Sequence, residues 1–273
     1  MFDPLSHPLV QPSPVGDDYA ALCEKVRLLC GIDLMQYERE QMERRVRTWV
    51  QRRGAARLEV YGDLLRRDPD ELDAFLDRVT INVSHLWRHE EQWDALRTDV
   101  LPALASRGGR LRAWSAGCSY GAEAFTLAAV CREAVPESDV GIVGTDLDRR
   151  MIARARTGEF CSEEVRTAPA ALLHRHFEPL EGGAWRASPA LRSLVRFEQG
   201  DLLRMPVPRG RYDLVMCRNT LIHFNEDVRN ALHARLVDAL APGGQLVIGT
   251  AERVADPRAL GLTATHRFIY RKR

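Results

Sequence analysis

Residues 111–134 read LRAWSAGCSYGAEAFTLAAVCREA. Leu111-Arg112-Ala113-Trp114 is short and apolar enough for a buried strand, and from Glu123 to Cys131 alanine and leucine recur at helical spacing. Between them a turn holds Gly117 and Gly121, at the carboxyl end of the strand and the amino end of the helix. In an open α/β sheet that is where ligands bind, because strand ends and helix amino termini form a crevice. Glycine suits a backbone that turns with positive φ or approaches a ligand closely, although two glycines can equally do no more than close a βα turn. A dinucleotide site asks for G-x-G-x-x-G. Ala116-Gly117-Cys118-Ser119-Tyr120-Gly121-Ala122-Glu123 lacks the first glycine and sets Glu123 where a phosphate would be repelled, so the turn suits a neutral or cationic ligand.

Downstream, strands and helices alternate. Val140 to Thr145 reads as a strand ending in Thr145-Asp146-Leu147-Asp148, Leu194 to Glu198 as another followed by Gly200-Asp201-Leu202, and Tyr212 to Cys217 as a third running into Arg218-Asn219. A helix from Asp227 to Leu240 stops at Pro242-Gly243-Gly244, Gln245 to Gly249 is the next strand, and Thr265 to Arg271 is a last, antiparallel one. The pattern predicts an open α/β sheet with polar side chains at successive strand ends. Between about 159 and 192 the alternation fails amid Pro169, Pro179, Gly182, Gly183 and Pro189, which predicts a small β insertion. Upstream, residues 17–107 show helical periodicity without a strand, so Ser106-Arg107-Gly108-Gly109 is the expected boundary with an α/β domain over 108–273. Residues 1–16 form a Pro-rich lead, expected to be flexible, without the basic start and apolar core of a signal peptide.

A formal charge of +1 in 273 residues gives no general affinity for nucleic acid, and only Lys25 and Lys272 are lysines. No apolar run reaches membrane-spanning length. Cys23, Cys30, Cys118, Cys131, Cys161 and Cys217 form neither a C-x-x-C pair nor a zinc-like spacing, so no metal site is expected and the thiols read as reduced and cytoplasmic. Cys118 lies in the glycine turn, but no base stands near it in sequence to make it a nucleophile. In the front region Met42, Val46, Trp49 and Val50 share one helix stripe, with Arg44, Arg45, Arg47 and Arg52 elsewhere around it and Glu38, Glu40 and Glu43 before them. That is either a solvated amphipathic helix or a docking surface for an acidic protein.

The strand-end residues suggest a ligand. Asp146 suits a ribose, since one carboxylate can accept from both hydroxyls, and its alternative is a helix cap. Asp201 suits an adenine amino group or, alternatively, a turn. Glu123 suits a cation. Ribose, adenine and a cationic tail together describe S-adenosyl-L-methionine better than NAD or ATP.

Five stretches then resemble one family. Thr80-Ile81-Asn82-Val83-Ser84-His85-Leu86-Trp87-Arg88 is similar to T-x-N-x-T-x-F-F-R, and Trp114 to Glu123 to W-S-A-G-C-S-T-G-E-E. Thr145-Asp146-Leu147-Asp148 is similar to T-D-I-D, Cys217 to Phe224 to C-R-N-V-x-I-Y-F, and Leu240 to Glu252 to L-x-P-G-G-x-L-x-x-G-x-x-E. The chain thus resembles the CheR-type chemotaxis receptor methyltransferases from Asp17 to its carboxyl end. The resemblance implies a Rossmann-like class I methyltransferase sheet with an N-terminal helical domain, transferring methyl from S-adenosyl-L-methionine to receptor glutamates and releasing S-adenosyl-L-homocysteine.

It implies cofactor contacts at Asn82, Ser84, Arg88, Gly117, Glu123, Asp146, Asp201, Leu202, Arg218 and Asn219. By charge, Arg88 is assigned to the methionyl carboxylate, Glu123 or Asn219 to the ammonium, and Asp146 to the ribose. Arg88 and His223 are placed nearest the methyl transfer, and Arg44, Arg45, Arg47 and Arg52 on the receptor-facing helix. The implied partners are cytoplasmic receptor helices, with neither nucleic acid nor membrane insertion, and a monomer is expected because no long exposed apolar stripe is apparent. Ser84 and His223 stand where the family has threonine and tyrosine, Leu86-Trp87 where it has two phenylalanines, Ala122 where it has glutamate, and Asp201 where it usually has asparagine. These departures leave room for another pathway or substrate, or for a scaffold that senses S-adenosylmethionine without transferring methyl.

Overall fold

The computed structural model describes residues 17–79 and 84–273, and the chain forms two compact units that divide between Ile81 and Asn82. The lead over 1–16 and the candidate Asn82 lie outside the described residues.

The first unit is helical. Asp17 caps α1 (Asp18–Cys30) by accepting the Ala20 amide, and Gly31, at φ +82°, ends it. α2 (Arg39–Arg52), α3 (Leu58–Arg67) and α4 (Pro69–Val79) follow. Met42, Val46 and Val50 are buried, as the stripe on α2 predicts. Trp49 is half-buried and donates to the Tyr61 hydroxyl at 2.6 Å, which in turn donates to buried Glu71 at 2.6 Å. Gly62 lets α3 approach α1, since a Cβ there would lie 2.7 Å from Lys25 Cδ. Leu28, Leu29, Met35, Val60 and Leu64 are exposed, Val60 and Leu64 one turn apart on α3. The expectation of a monomer loses its stated support here, because burial of an apolar residue cannot be read from its type alone.

In the second unit the strands are β1 (Leu111–Ala116), β2 (Val140–Asp146), β3 (Glu159–Phe160), β4 (Phe177–Pro179), β5 (Trp185–Ala187), β6 (Val195–Gln199), β7 (Tyr212–Cys217), β8 (Leu240–Ile248), β9 (Leu262–His266) and β10 (Ile269–Lys272). The main sheet runs β6-β2-β1-β7-β8-β10-β9. Its first five strands are parallel, and β10 is antiparallel to both β8 and β9. Strand order reverses between β1 and β7, which makes that crevice the switch point where doubly wound sheets bind ligands. The expected single last strand is a hairpin instead: Phe268, at φ +64°, turns the chain between β9 and β10. β3, β5 and β4 form a separate antiparallel sheet inside the expected insertion.

Helices α5 (Glu90–Ala95) and α6 (Leu101–Ala105) are joined by a π-helical stretch, Leu96–Val100. Leu96, Val100, Leu101 and Leu104 share one core with Ala113, Phe125 and Val130. The boundary expected at 106–109 is therefore too late: composition changes where strands begin, whereas the core begins earlier. α7 (Ala122–Ala134) is buried nearly all round, with Ala124, Ala128 and Ala129 fully so. α8 (Arg149–Thr157) is capped by Asp148, whose side chain accepts the Arg150 and Met151 amides. The insertion adds the short α9 (Ser162–Val165), α10 (Ala170–His176) and α11 (Pro189–Arg192), and α12 (Glu226–Ala239) precedes β8.

Candidate active site

The loop after β1 is built by its two glycines. Gly117 lies at φ +78°, and its amide and that of Cys118 donate to Thr145 O at 2.8 and 3.0 Å. A Cβ on Gly117 would sit 2.5 Å from Thr220 Oγ1, so this loop and the one following β7 meet at the switch point. Gly121, at φ +89°, begins α7 where a Cβ would lie 2.8 Å from the Phe197 ring. Both positions require glycine.

Asp146 ends β2 inside this frame. Its Oδ2 accepts the Ser119 amide at 2.8 Å and its Oδ1 the Asp148 amide at 2.9 Å. Burial pushes its carboxyl up to about 6, against the pull of those two amides. The helix cap that the sequence offers as its alternative role belongs to Asp148. Each Asp146 oxygen keeps unused acceptor capacity, which a ribose diol needs.

On the other side of the switch point, Arg218 is the buried centre. Its Nε donates to Gln92 Oε1 at 2.8 Å, its Nη2 to the Arg88 carbonyl at 2.6 Å, and its guanidinium lies 5.0 Å over the Trp93 ring. It pairs with Glu123 at 3.5 Å. Ser115 Oγ donates to Glu123 at 2.7 Å. Burial pushes the Glu123 carboxyl up, while Arg218 and Ser115 pull it back. Arg218 is therefore a floor that fixes Glu123 and the Arg88 main chain at once.

Buried Glu252 organises the loop after β7: it accepts the Leu221 amide at 2.8 Å and the Gly249 amide at 2.5 Å. Asn219, at φ +60°, leads into the 3-10 turn Leu221–His223. Trp87, His89, Ser119 and Asn219 all hold positive φ in these loops, a clustering of backbone strain that marks functional sites. The Gly200 amide donates to Asp146 O at 2.9 Å, which brings the segment after β6 alongside. There Asp201 accepts the Leu203 amide at 2.8 Å and pairs with Arg204 at 3.6 Å, so the turn role open to it in the sequence is realised. Leu202 beside it is buried. The Ser84 carbonyl accepts the Tyr120 hydroxyl. Cys118 is buried, and burial beside Asp146 and Glu123 drives its thiol well above the ordinary range, so it is no nucleophile.

Gln92, Trp93, Tyr120 and Glu252 were not among the candidates. Tyr120 and Glu252 lie inside stretches that carry the family pattern, and Gln92 and Trp93 lie on α5, four and five residues after Arg88. Of the four arginines expected on α2, Arg44 and Arg52 are exposed and form no ion pair among the described residues. Arg45 donates to Val79 O at 2.6 Å and is part-buried, and Arg47 pairs with Asp18 and Glu43, each at 2.7 Å. Arg45 is thereby drawn in toward the end of α4, whereas Arg47 stays exposed with its charge balanced by two carboxylates.

No phosphate could sit where Glu123 stands, and a carboxylate at the end of β2 asks for a diol. A ligand that is nucleoside at one end and cationic at the other is S-adenosylmethionine, and with this sheet order the second unit is a class I methyltransferase domain. The chain belongs to the CheR methyltransferase family: the family's SAM-binding domain matches residues 82–268 and its all-alpha domain residues 17–80. A chemotaxis protein methyltransferase of Listeria monocytogenes is 33% identical, over 93% of this chain and 97% of that one. Chemotaxis protein methyltransferase Cher2 of Pseudomonas putida is 31% identical, and chemotaxis protein methyltransferase 1 of Pseudomonas aeruginosa 32%, each over 82% of this chain and 85% of the relative.

Proposed function

We propose that this chain methylates glutamate side chains on the cytoplasmic helices of methyl-accepting chemotaxis receptors. The observation that carries the reading is the Asp146–Ser119 and Arg218–Glu123 frame at the switch point of a CheR-family domain. Asp146 takes the ribose hydroxyls, Asp201 and Leu202 the adenine, Arg88 the methionyl carboxylate, and Glu123, with unused lone pairs beside Arg218, the ammonium. Ser84, Gly117 and Asn219 close around the ligand, and Asn82 belongs to the same set by its motif.

Bound S-adenosylmethionine supplies a methyl group already activated on a sulfonium. A glutamate carboxylate is ionised near pH 7, so no side chain has to remove a proton. The chain's own task is to align the incoming carboxylate and to exclude water from two opposite charges. Rigid placement serves that task, and the Arg218 and Glu252 networks supply it. His223 lies on the turn whose Leu221 amide Glu252 holds, and in this reading it orients the substrate carboxylate. Arg44 and Arg52, two turns apart on α2, offer positive charge to an acidic receptor helix. All six cysteines are free, which suits a reducing cytoplasm, and no helix among the described residues is long and apolar enough to cross a membrane.

The test is methyl transfer from labelled S-adenosylmethionine to a receptor cytoplasmic fragment, read as base-labile methanol. Label released by base supports the reading. Cofactor binding without such release would make the protein a scaffold instead.

A further inference from the structure

The segment Ser84–His89 contains two residues in the left-handed region, Trp87 at φ +63° and His89 at φ +62°, and such geometry persists only where the surroundings over-determine it. Part of the restraint is local to the methyltransferase core. Tyr120 donates to the Ser84 carbonyl, and the Trp87 amide donates to Thr126 Oγ1 of α7 at 3.2 Å. The rest comes from the insertion. The Leu86 amide donates to the Glu164 carbonyl at 2.8 Å. Thr167 Oγ1 donates to the Leu86 carbonyl at 2.8 Å and lies 2.6 Å from His85 Nδ1. A hydroxyl has one proton, so this pairing is satisfied when His85 Nδ1 carries a hydrogen and donates it to Thr167.

One side chain joins the two sources. Arg154 of α8 binds both carboxylate oxygens of Glu164, at 2.6 and 2.7 Å, while its guanidinium lies 4.1 Å over the ring of Tyr120. Glu164 also accepts the Cys161 amide at 3.0 Å, which caps α9 and locks the start of the insertion. Thus the insertion, the glycine turn and the segment carrying Ser84 and Arg88 form one hydrogen-bonded unit.

We propose that the insertion is a positioning element of the methyl-transfer site, acting through Thr167, Glu164 and Arg154 on the Ser84–Arg88 segment. The inference rests on the reading in which Ser84 and Arg88 contact the cofactor. Cofactor binding then rigidifies the insertion, and coupling is reciprocal: a partner that engages the insertion changes cofactor affinity by the factor by which the cofactor changes that partner's affinity.

The experiment is calorimetric titration of the full chain with S-adenosylhomocysteine, alongside Thr167→Val, Thr167→Ser and Arg154→Met, with hydrogen exchange on peptides covering 84–89 and 161–168. Thr167 is exposed, so its variants fold. Thr167→Val weakens binding about fivefold, the worth of one hydrogen bond, Thr167→Ser restores it, and Arg154→Met weakens it by about the same factor or more. Adding ligand to the wild type slows exchange in 161–168. A merely structural role would lower the melting temperature and leave the affinity of the folded protein untouched. Wild-type affinity in both Thr167→Val and Arg154→Met, with no ligand effect on 161–168, overturns the proposal. No binding by the folded wild type would instead remove the cofactor reading beneath it, and the proposal with it.

Discussion

Lowering the pH from 8 to 5 should weaken cofactor binding through Asp146. Its carboxyl is pushed up to about 6 by burial at the end of β2, and only the ionised form can accept from both ribose hydroxyls. Affinity is therefore full well above pH 6 and falls as the group protonates, by about elevenfold at pH 5, with a limiting slope of about tenfold per pH unit. S-Adenosylhomocysteine has no group of its own that titrates in this window, so calorimetry from pH 5 to 8 isolates the protein. Asp146→Asn should bind weakly and without that slope. The sign of the stability effect is opposite: a carboxyl raised in the folded state contributes stability that is present below its unfolded pKa and lost as pH rises through about 6. The melting temperature of Asp146→Asn should accordingly gain on the wild type as pH rises from 4 to 7. A flat affinity profile in the wild type, or the same slope in Asp146→Asn, would refute the assignment of Asp146 to the ribose.

Arg218→Met leaves buried Glu123 without its counter-ion and should lower stability by about 3–5 kcal/mol in urea titration. A loss below about 1 kcal/mol would mean that Glu123 is already neutral. Gly117→Ala meets both positive φ and a Cβ 2.5 Å from Thr220 Oγ1; it should cost about 1–3 kcal/mol and reduce S-adenosylhomocysteine affinity at least roughly tenfold. Arg44→Glu with Arg52→Glu should raise the KM for receptor about fivefold, as two exposed charges permit, and leave cofactor affinity unchanged. Steady-state kinetics with a receptor fragment checks this, and an unchanged KM would remove α2 from the docking surface.

The sheet was legible because its strands are short apolar runs punctuated by glycine and aspartate, and Tyr212–Cys217 was located to the residue. The position of Asp146 was legible for the same reason, since it closes the apolar run that becomes β2. The Arg218 floor was not. Its partners Gln92, Trp93, Glu123 and the Arg88 carbonyl come from distant parts of the chain, and only folding brings them together. The same holds for Arg45 and Arg47: a helix-face pattern shows which way an arginine points and says nothing of the Val79 carbonyl or Asp18 that it meets. The boundary was misplaced because α5 and α6 have the composition of the helical unit but bury Leu96, Val100 and Leu104 in the core of the sheet unit.

The most direct test is mass spectrometry of a receptor cytoplasmic fragment after incubation with the purified chain and S-adenosylmethionine. The account predicts fragments heavier by one CH2, with the added mass on glutamate side chains, removed by mild base and absent with Asp146→Ala. A receptor that stays unmodified while the folded protein binds cofactor, or added mass on a residue other than glutamate, would contradict it.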